Sequence, residues 1–214
     1  MNKTNFLLNK PIAHRGIHYK YIENTLPAFT EAIKRNYTIE LDIRLTKDNE
    51  IIVFHDHNLK RIFEINRNIK DLTYEEIKKF KYIKTLKEVL NLINKKVPVI
   101  IDIKDSKKIY KPLIKILDTY KGKFTIQSFN PLILYYLKIK RPQYIRGYLI
   151  HNNLYSKQIL SILKPTYIAT NLKNLKNLSK YRKKYILLGY TIKSNKEYLI
   201  YKDYADNFIY DINK

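Results

Sequence analysis

The stretch IELDIRLTKD, residues 39–48, holds Glu40 and Asp42 two positions apart, interleaved with Ile39, Leu41 and Ile43. In an extended strand, side chains at i and i+2 leave by the same face. The pattern therefore presses two carboxylates together, and like charges at that spacing repel. A hard divalent cation would turn the repulsion into attraction, because Mg2+ and Ca2+ favour carboxylate oxygens. VPVIIDIK (97–104) repeats the spacing with Asp102 and Lys104. Two further apolar runs end in His14 and Arg15 (AHRG) and in His55 and Asp56 (IIVFHD). Arg15 and Lys104 place fixed positive charge beside the carboxylates, which suits a phosphate; a guanidinium can grip two phosphate oxygens at once. Plain salt bridges compete with this reading, Glu40 pairing with Arg44 or Lys104. His18, His57 and His151 read as isolated polar residues, whereas His14 and His55 arrive together with the carboxylates.

Positioning these groups requires the strands that carry them to lie side by side. Strand-like runs occur at 11–14, 38–45, 97–104, 124–129, 144–150, 166–170, 185–192 and 206–211, with a shorter run at 51–55 as an extra strand or extension. Helix-period segments separate them at 25–36, 74–80 with 85–95, 107–120, 131–140, 156–164, 174–183 and 195–203. In DLTYEEIKKF, Thr73 followed by Glu76 is a helix-start signature. Near-continuous apolar strands alternating with helices predict a parallel sheet covered by helices. Eight such units predict a compact (β/α)8 TIM barrel, with a last helix short or absent because the chain stops at YDINK. Catalytic groups in that fold sit at the C-terminal strand ends. The first three strand ends, with the short run at 51–55, would supply the three carboxylates, two histidines, arginine and lysine; Gln127 and Tyr190 come from later ones. A doubly wound sheet is the competing architecture, but Gly16, Gly122, Gly147 and Gly189 are isolated and form no nucleotide-binding loop.

The 214 residues suffice for one domain spanning 1–214, and 45% hydrophobic content excludes wholesale disorder. The absence of cysteine excludes disulfides, thiolate metal sites and cysteine nucleophiles. Phe6-Leu7-Leu8 is too short an apolar run for a signal peptide, and no segment is long enough to span a bilayer, so a cytoplasmic protein is expected. The net charge of +23 would suit nucleic acid or an anionic membrane. The lysines are scattered rather than gathered into a stripe, however, and no nucleic-acid recognition motif accompanies them. Compositional bias is the favoured explanation; such a surface still attracts phosphate-bearing substrates and acidic lipid headgroups.

IAHRGIHYKYIENTLPAFTEAI and IELDIRLTKDNEIIVFHDHNLKRI, spanning residues 12–62, resemble the glycerophosphodiester phosphodiesterase family. Its H-R-G, E-N-T with A-F, E-L-D with T-K-D, and H-D followed by L and R all occur in order. VPVIIDIK, TIQSFNP and NFIYDIN resemble later family motifs more loosely. The resemblance implies a (β/α)8 barrel that hydrolyses glycerophosphodiesters to glycerol 3-phosphate and an alcohol with one divalent cation, Mg2+ or Ca2+, with Mn2+ as a third choice. It implies His14 and His55 as the acid/base pair, Arg15 and Lys104 on the phosphate, and Glu40, Asp42 and Asp102 as metal ligands. Asp102 stands where the family usually has glutamate, one methylene longer. Glu23 matches the E-N-T glutamate, at the site or bracing its loop. Tyr190 stands where the family usually has tryptophan; Asp56, Gln127 and Tyr190 would line or brace the pocket. The nucleophile is water or the neighbouring glycerol 2-hydroxyl. Alternatives on the same machinery are a lysophospholipase D-like activity, a phosphoinositide-headgroup phosphodiesterase at a membrane surface, or an inactive binding barrel.

Overall fold

The computed structural model describes residues 4–105, 107–151 and 157–211. Ten strands form among them: β1 (Ile12–Ala13), β2 (Thr38–Leu45), β3 (Ile51–Val53), β4 (Lys84–Thr85), β5 (Val99–Ile103), β6 (Phe124–Ser128), β7 (Arg146–Ile150), β8 (Tyr167–Asn171), β9 (Ile186–Ile192) and β10 (Asn207–Tyr210). Eight are parallel neighbours in the order β1-β2-β5-β6-β7-β8-β9-β10, and β10 pairs back onto β1. The ring closes with helices in its crossovers, giving the (β/α)8 barrel that the strand count predicts. β3 and β4 stand outside the ring. The run at 51–55 is the return arm of a hairpin, antiparallel to the end of β2 with Ile43 opposite Val53. Its turn closes through Thr46 N–H to Glu50 C=O at 2.9 Å, with Asn49 in the left-handed region that asparagine tolerates.

The helices follow the apolar periodicity, with ends set by local chemistry. Thr73 and Glu76 form the expected reciprocal cap, but that helix stops at Ile77. Leu86–Ile93 starts on a second such cap, Thr85 with Glu88, and ends at Asn94 in a left-handed conformation. The segments expected at 107–120 and 174–183 are part 3-10 turn, at Lys107–Ile109 and Ser179–Lys183. Short helices at Asn5–Asn9 and Lys60–Phe63 were not expected; with five and four residues they are too brief for a period to show. Residues 212–214, where the last helix was expected to be short or absent, and Ser156, where one helix start was expected, lie outside the described residues.

Inside the ring, Ile100, Leu149, Tyr167, Ala169, Leu188 and Ile209 pack with Phe6 and Leu7 of the first helix. Asn207 ties that helix in place, donating to the carbonyls of Leu7 and Lys10 at 2.8 Å. A separate cluster of Ile52, Phe54, Leu59, Ile69, Leu72, Ile77 and Ile83 supports the loops after β3. No helix among the described residues is long and apolar enough to cross a membrane.

Register then aligns one layer across five strands: Asp42 opposite Asp102, Asp102 opposite Gln127, Gln127 opposite Gly147, and Gly147 opposite Tyr167. Gly147 makes room for its neighbour, because a Cβ there would lie 2.1 Å from the Tyr167 ring. The Tyr167 hydroxyl crosses the barrel to donate to Gln127 Oε1 at 3.1 Å. Overpacking a fully buried ring forces side chains off their preferred rotamers. Gly147→Ala is therefore expected to lower the unfolding free energy by about 1–3 kcal/mol in urea denaturation; an unchanged midpoint would show that Tyr167 is not held by this contact.

Candidate active site

The first strand is short, and the turn leaving it carries the strain. Arg15 adopts φ 53° and Gly16 φ 81°. For a non-glycine residue that conformation costs about 1–2 kcal/mol. The bend lets the Arg15 backbone N–H donate to Glu40 Oε2 at 3.1 Å, while its side chain turns back to Asp42, with Nε 3.0 Å from Oδ2. Gly16 has no substitute here, since a Cβ would meet the Ala28 backbone at 2.8 Å. Asn24, also left-handed at φ 58°, seals the loop: its amide donates to Asp42 Oδ2 at 2.9 Å and accepts from the Asp42 N–H at 3.2 Å. Sequence reasoning gave Asn24 no role of its own, although it lies inside the E-N-T motif.

β2 and β5 bring Glu40, Asp42 and Asp102 onto the inner face, where all three are buried. One oxygen from each lies within 4.8 Å of the other two. Lys104 answers them with Nζ 2.7 Å from Asp102 Oδ2 and 3.1 Å from Asp42 Oδ1, and it rests against the Phe129 ring at 5.7 Å. The simpler pairing of Glu40 with Arg44 does not form. Arg44 instead meets Asp105 at 3.3 Å and donates to the His55 carbonyl at 2.8 Å, fixing the backbone that presents His55.

His55 Nδ1 lies 2.7 Å from Asp56 Oδ1, so Nδ1–H donates to the carboxylate and Nε2 is left as the free nitrogen. Arg61 joins Asp56 (2.6 Å) to Glu23 (2.5 and 3.0 Å), and Glu23 accepts from Arg15 at 2.8 Å. Glu23 and Asp56 thus brace Arg15 and His55. Arg61, the motif arginine to which sequence reasoning assigned no task, is the clamp between them. His14 hangs from the barrel seam, its N–H donating to Tyr210 C=O at 3.0 Å. Two further residues near it were missed: His18 and Asp211, which approach each other to 2.6 Å.

His14, Arg15, Glu40, Asp42, His55, Asp102, Lys104, Gln127 and Tyr190 all line one cavity of about 240 Å³, together with Phe129 and Thr191. Glu23 and Asp56 stand behind it. The Tyr190 hydroxyl is buried without a hydrogen-bond partner among the described residues.

Burial pushes Glu40 well above the usual carboxylate range, helped by Asp42 and Asp102. Asp102 is pushed up to about 6, by burial and by Asp42 against the pull of Lys104. Asp42 is also penalised by burial, but Lys104 and Arg15 outweigh it and hold Asp42 below its ordinary value. His14 is pushed down to about 3, first by burial and then by Arg15. Burial lowers His55 as well. With all three carboxyls ionised, the two cationic side chains would leave one negative charge uncompensated. The Asp102 Oδ1 atom has no hydrogen-bond partner among the described residues. An all-oxygen donor set with an orphaned oxygen fits a hard divalent cation.

The strand ends of this (β/α)8 barrel thus gather three buried carboxyls, two imidazoles, a guanidinium and an ammonium around one cavity. The profile of the Glycerophosphoryl diester phosphodiesterase family matches residues 14–176, and the chain belongs to that family. It is 36% identical over 117 residues to a glycerophosphodiester phosphodiesterase of Bacillus altitudinis, covering 49% of this chain and 48% of the relative. A stretch of 71 residues is 46% identical to human Lysophospholipase D GDPD1, covering 33% of this chain and 23% of that protein. The chain thus spans about half or less of the length of these two relatives. The crystal structure of a glycerophosphodiester phosphodiesterase from Thermotoga maritima superposes with a TM-score of 0.82 at 29% identity, covering 94% of this chain and 93% of that one.

A cation entering this site must displace protons from carboxyls whose affinity for them is raised. Below about pH 6 Asp102 carries a proton, so Mg2+ or Ca2+ affinity is expected to fall as pH drops through that value. Calorimetric titration in buffers of different ionisation heat reads the released protons. Affinity independent of pH between 5 and 8, with no proton release, would remove Asp102 and Glu40 from the ligand set.

Proposed function

We propose that this protein hydrolyses glycerophosphodiesters to glycerol 3-phosphate and an alcohol, with Glu40, Asp42 and Asp102 holding one divalent cation. The observation that carries the reading is the convergence of that acidic triad with His14, His55, Arg15 and Lys104 around one cavity. Mg2+ and Ca2+ both suit the oxygen donors, with Mn2+ a weaker candidate. When bound, the cation supplies Lewis acidity to a phosphate oxygen and to the attacking hydroxyl.

The chain's own residues do the rest. Arg15 and Lys104, spent on carboxylates here, turn part of their hydrogen-bonding capacity to phosphate oxygens, and they oppose the charge that grows as the fifth oxygen approaches phosphorus. His14 and His55 are both held toward the neutral form by burial. An anionic phosphodiester beside them raises their proton affinity. One imidazole accepts the proton of the attacking hydroxyl, and the other gives a proton to the departing alcohol oxygen as the P–O bond breaks. Asp56 keeps the His55 proton on Nδ1, so its Nε2 is the atom that exchanges.

A second reading is a lysophospholipid substrate on the same machinery. Phe129 lines the cavity yet is 39% exposed, an apolar contact suited to an acyl chain, and the +23 charge favours an anionic membrane surface. The short stretch shared with the human lysophospholipase D adds to this reading.

Glycerol 3-phosphate release from glycerophosphocholine and glycerophosphoethanolamine, with Mg2+, Ca2+, Mn2+ or EDTA, tests the proposal. Metal-dependent release is expected, with His14→Ala and His55→Ala each slower by roughly 10²–10⁴. Lysophosphatidic acid release from lysophosphatidylcholine, with no turnover of the glycerophosphodiesters, would favour the second reading. No turnover of either class by folded, metal-loaded protein would leave a binding barrel.

A further inference from the structure

Beside the acidic triad lies a second group of metal-binding side chains with different chemistry. His14, His18 and Asp211 each offer one ligand atom, an imidazole nitrogen or a carboxylate oxygen, and these atoms lie within 4.8 Å of one another. His18 Nε2 is 2.6 Å from Asp211 Oδ1, and His14 Nδ1 is 3.9 Å from Asp211 Oδ2. Donors around a tetrahedral zinc ion, at about 2.0–2.1 Å from the metal, stand about 3.4 Å apart. The two observed distances bracket that spacing, so small rotations about the side-chain bonds would complete it. His14 Nδ1 is buried and has no hydrogen-bond partner among the described residues. The three side chains are 18–22% exposed, open enough for an ion to enter.

We propose that His14, His18 and Asp211 form a second cation site, selective for Zn2+ or an ion of similar preference, whose filling withdraws His14 from proton transfer. Two imidazoles and one carboxylate are the donors a borderline-soft ion takes with a fourth position left to water, whereas the all-oxygen triad suits a hard ion. The two sites therefore divide the metals between them. The inhibitory part rests on His14 acting in catalysis as proposed for the diester reaction; the binding part does not. An imidazole coordinated through Nδ1 keeps its remaining proton on Nε2 and has no lone pair with which to accept another. The same ring cannot serve both the ion and the reaction.

The test uses the full chain in millimolar Mg2+, which occupies the acidic triad. Zn2+ is titrated calorimetrically, and Co2+ is followed by its visible absorption as a spectroscopic stand-in. One equivalent is expected to bind, at least tenfold more weakly in His18→Ala and in His18→Gln, the second variant guarding against a local packing defect. Zn2+ should inhibit hydrolysis of whichever diester the wild type cleaves, and His18→Ala should need at least tenfold more Zn2+ for the same loss while keeping its activity without zinc. Equal Zn2+ and Co2+ binding by wild type and both folded variants would overturn the site. Tight binding at the site with no loss of a measurable activity would overturn the inhibitory role. A protein inactive on every diester would sink the proposed hydrolytic function while the Co2+ spectrum still decides whether the site exists.

Discussion

The constraint on which the site depends is the forced proximity of Glu40, Asp42 and Asp102. Barrel register places Asp42 and Asp102 directly opposite one another, and strand alternation adds Glu40 on the same face. Their repulsion is not dispersed by water, because all three are buried. The surrounding structure reads as a set of answers to that charge. Lys104 reaches two of the carboxylates, Arg15 gives Glu40 its backbone N–H and pairs its guanidinium with Asp42, and Asn24 locks Asp42 from both its ends. Even the unfavourable backbone at Arg15 has its cause here, since only the left-handed bend lets its N–H and guanidinium serve the two carboxylates together. Burial beside Asp42 and Asp102 also raises the proton affinity of Glu40 well above that of an ordinary carboxylate.

A second line of charge runs behind the first and stabilises geometry rather than ligand. Arg15, Glu23, Arg61 and Asp56 alternate in sign and the row ends on the His55 imidazole, each bonded to the next. The ends of this chain are the proposed phosphate-binding guanidinium and the proposed proton-transfer imidazole, which come from different strands. Arg61 is half-exposed, so its bonds are individually weak in water. Their value lies in number and planarity: a guanidinium bridging two carboxylates fixes two side chains for the entropy of one. Groups that must act within a fraction of an ångström are held by such neighbours.

Much of this was legible in the sequence because the relevant periodicities are local. Alternation over residues 39–43 is enough to put Glu40 and Asp42 on one face, and it recurs at Asp102 and Lys104. Eight apolar runs separated by helical segments are enough for the barrel. What stayed hidden depends on distant parts of the chain. His18 looked isolated because its partner, Asp211, lies at the far end and meets it only when β10 closes onto β1. Arg61 carried no signal of its own, since its two partners come from the loops after β1 and β3. Arg44 was a plausible partner for Glu40 by spacing, but its side chain engages Asp105 and the His55 carbonyl instead. Helix ends were misjudged where a 3-10 turn takes over, a choice made by packing rather than by pattern.

The surface and the site carry opposite electrostatic messages, and that opposition has a consequence. A net charge of +23 attracts phosphate-bearing molecules within about a Debye length of the protein, a range that dilute salt extends. At the barrel mouth the same anion meets three carboxylates whose charge two cationic side chains do not fully offset. Without a divalent cation, Arg15 and Lys104 are engaged by those carboxylates and have little left for a phosphate. A doubly charged ion among the carboxylates reverses the local sign and loosens the hold on both side chains. On the proposed function, phosphate binding and cation binding would therefore be linked through Arg15 and Lys104, each raising the affinity of the other as thermodynamic reciprocity requires. On that function the basic surface would supply encounter, and the acidic triad would set the condition under which an encounter becomes binding.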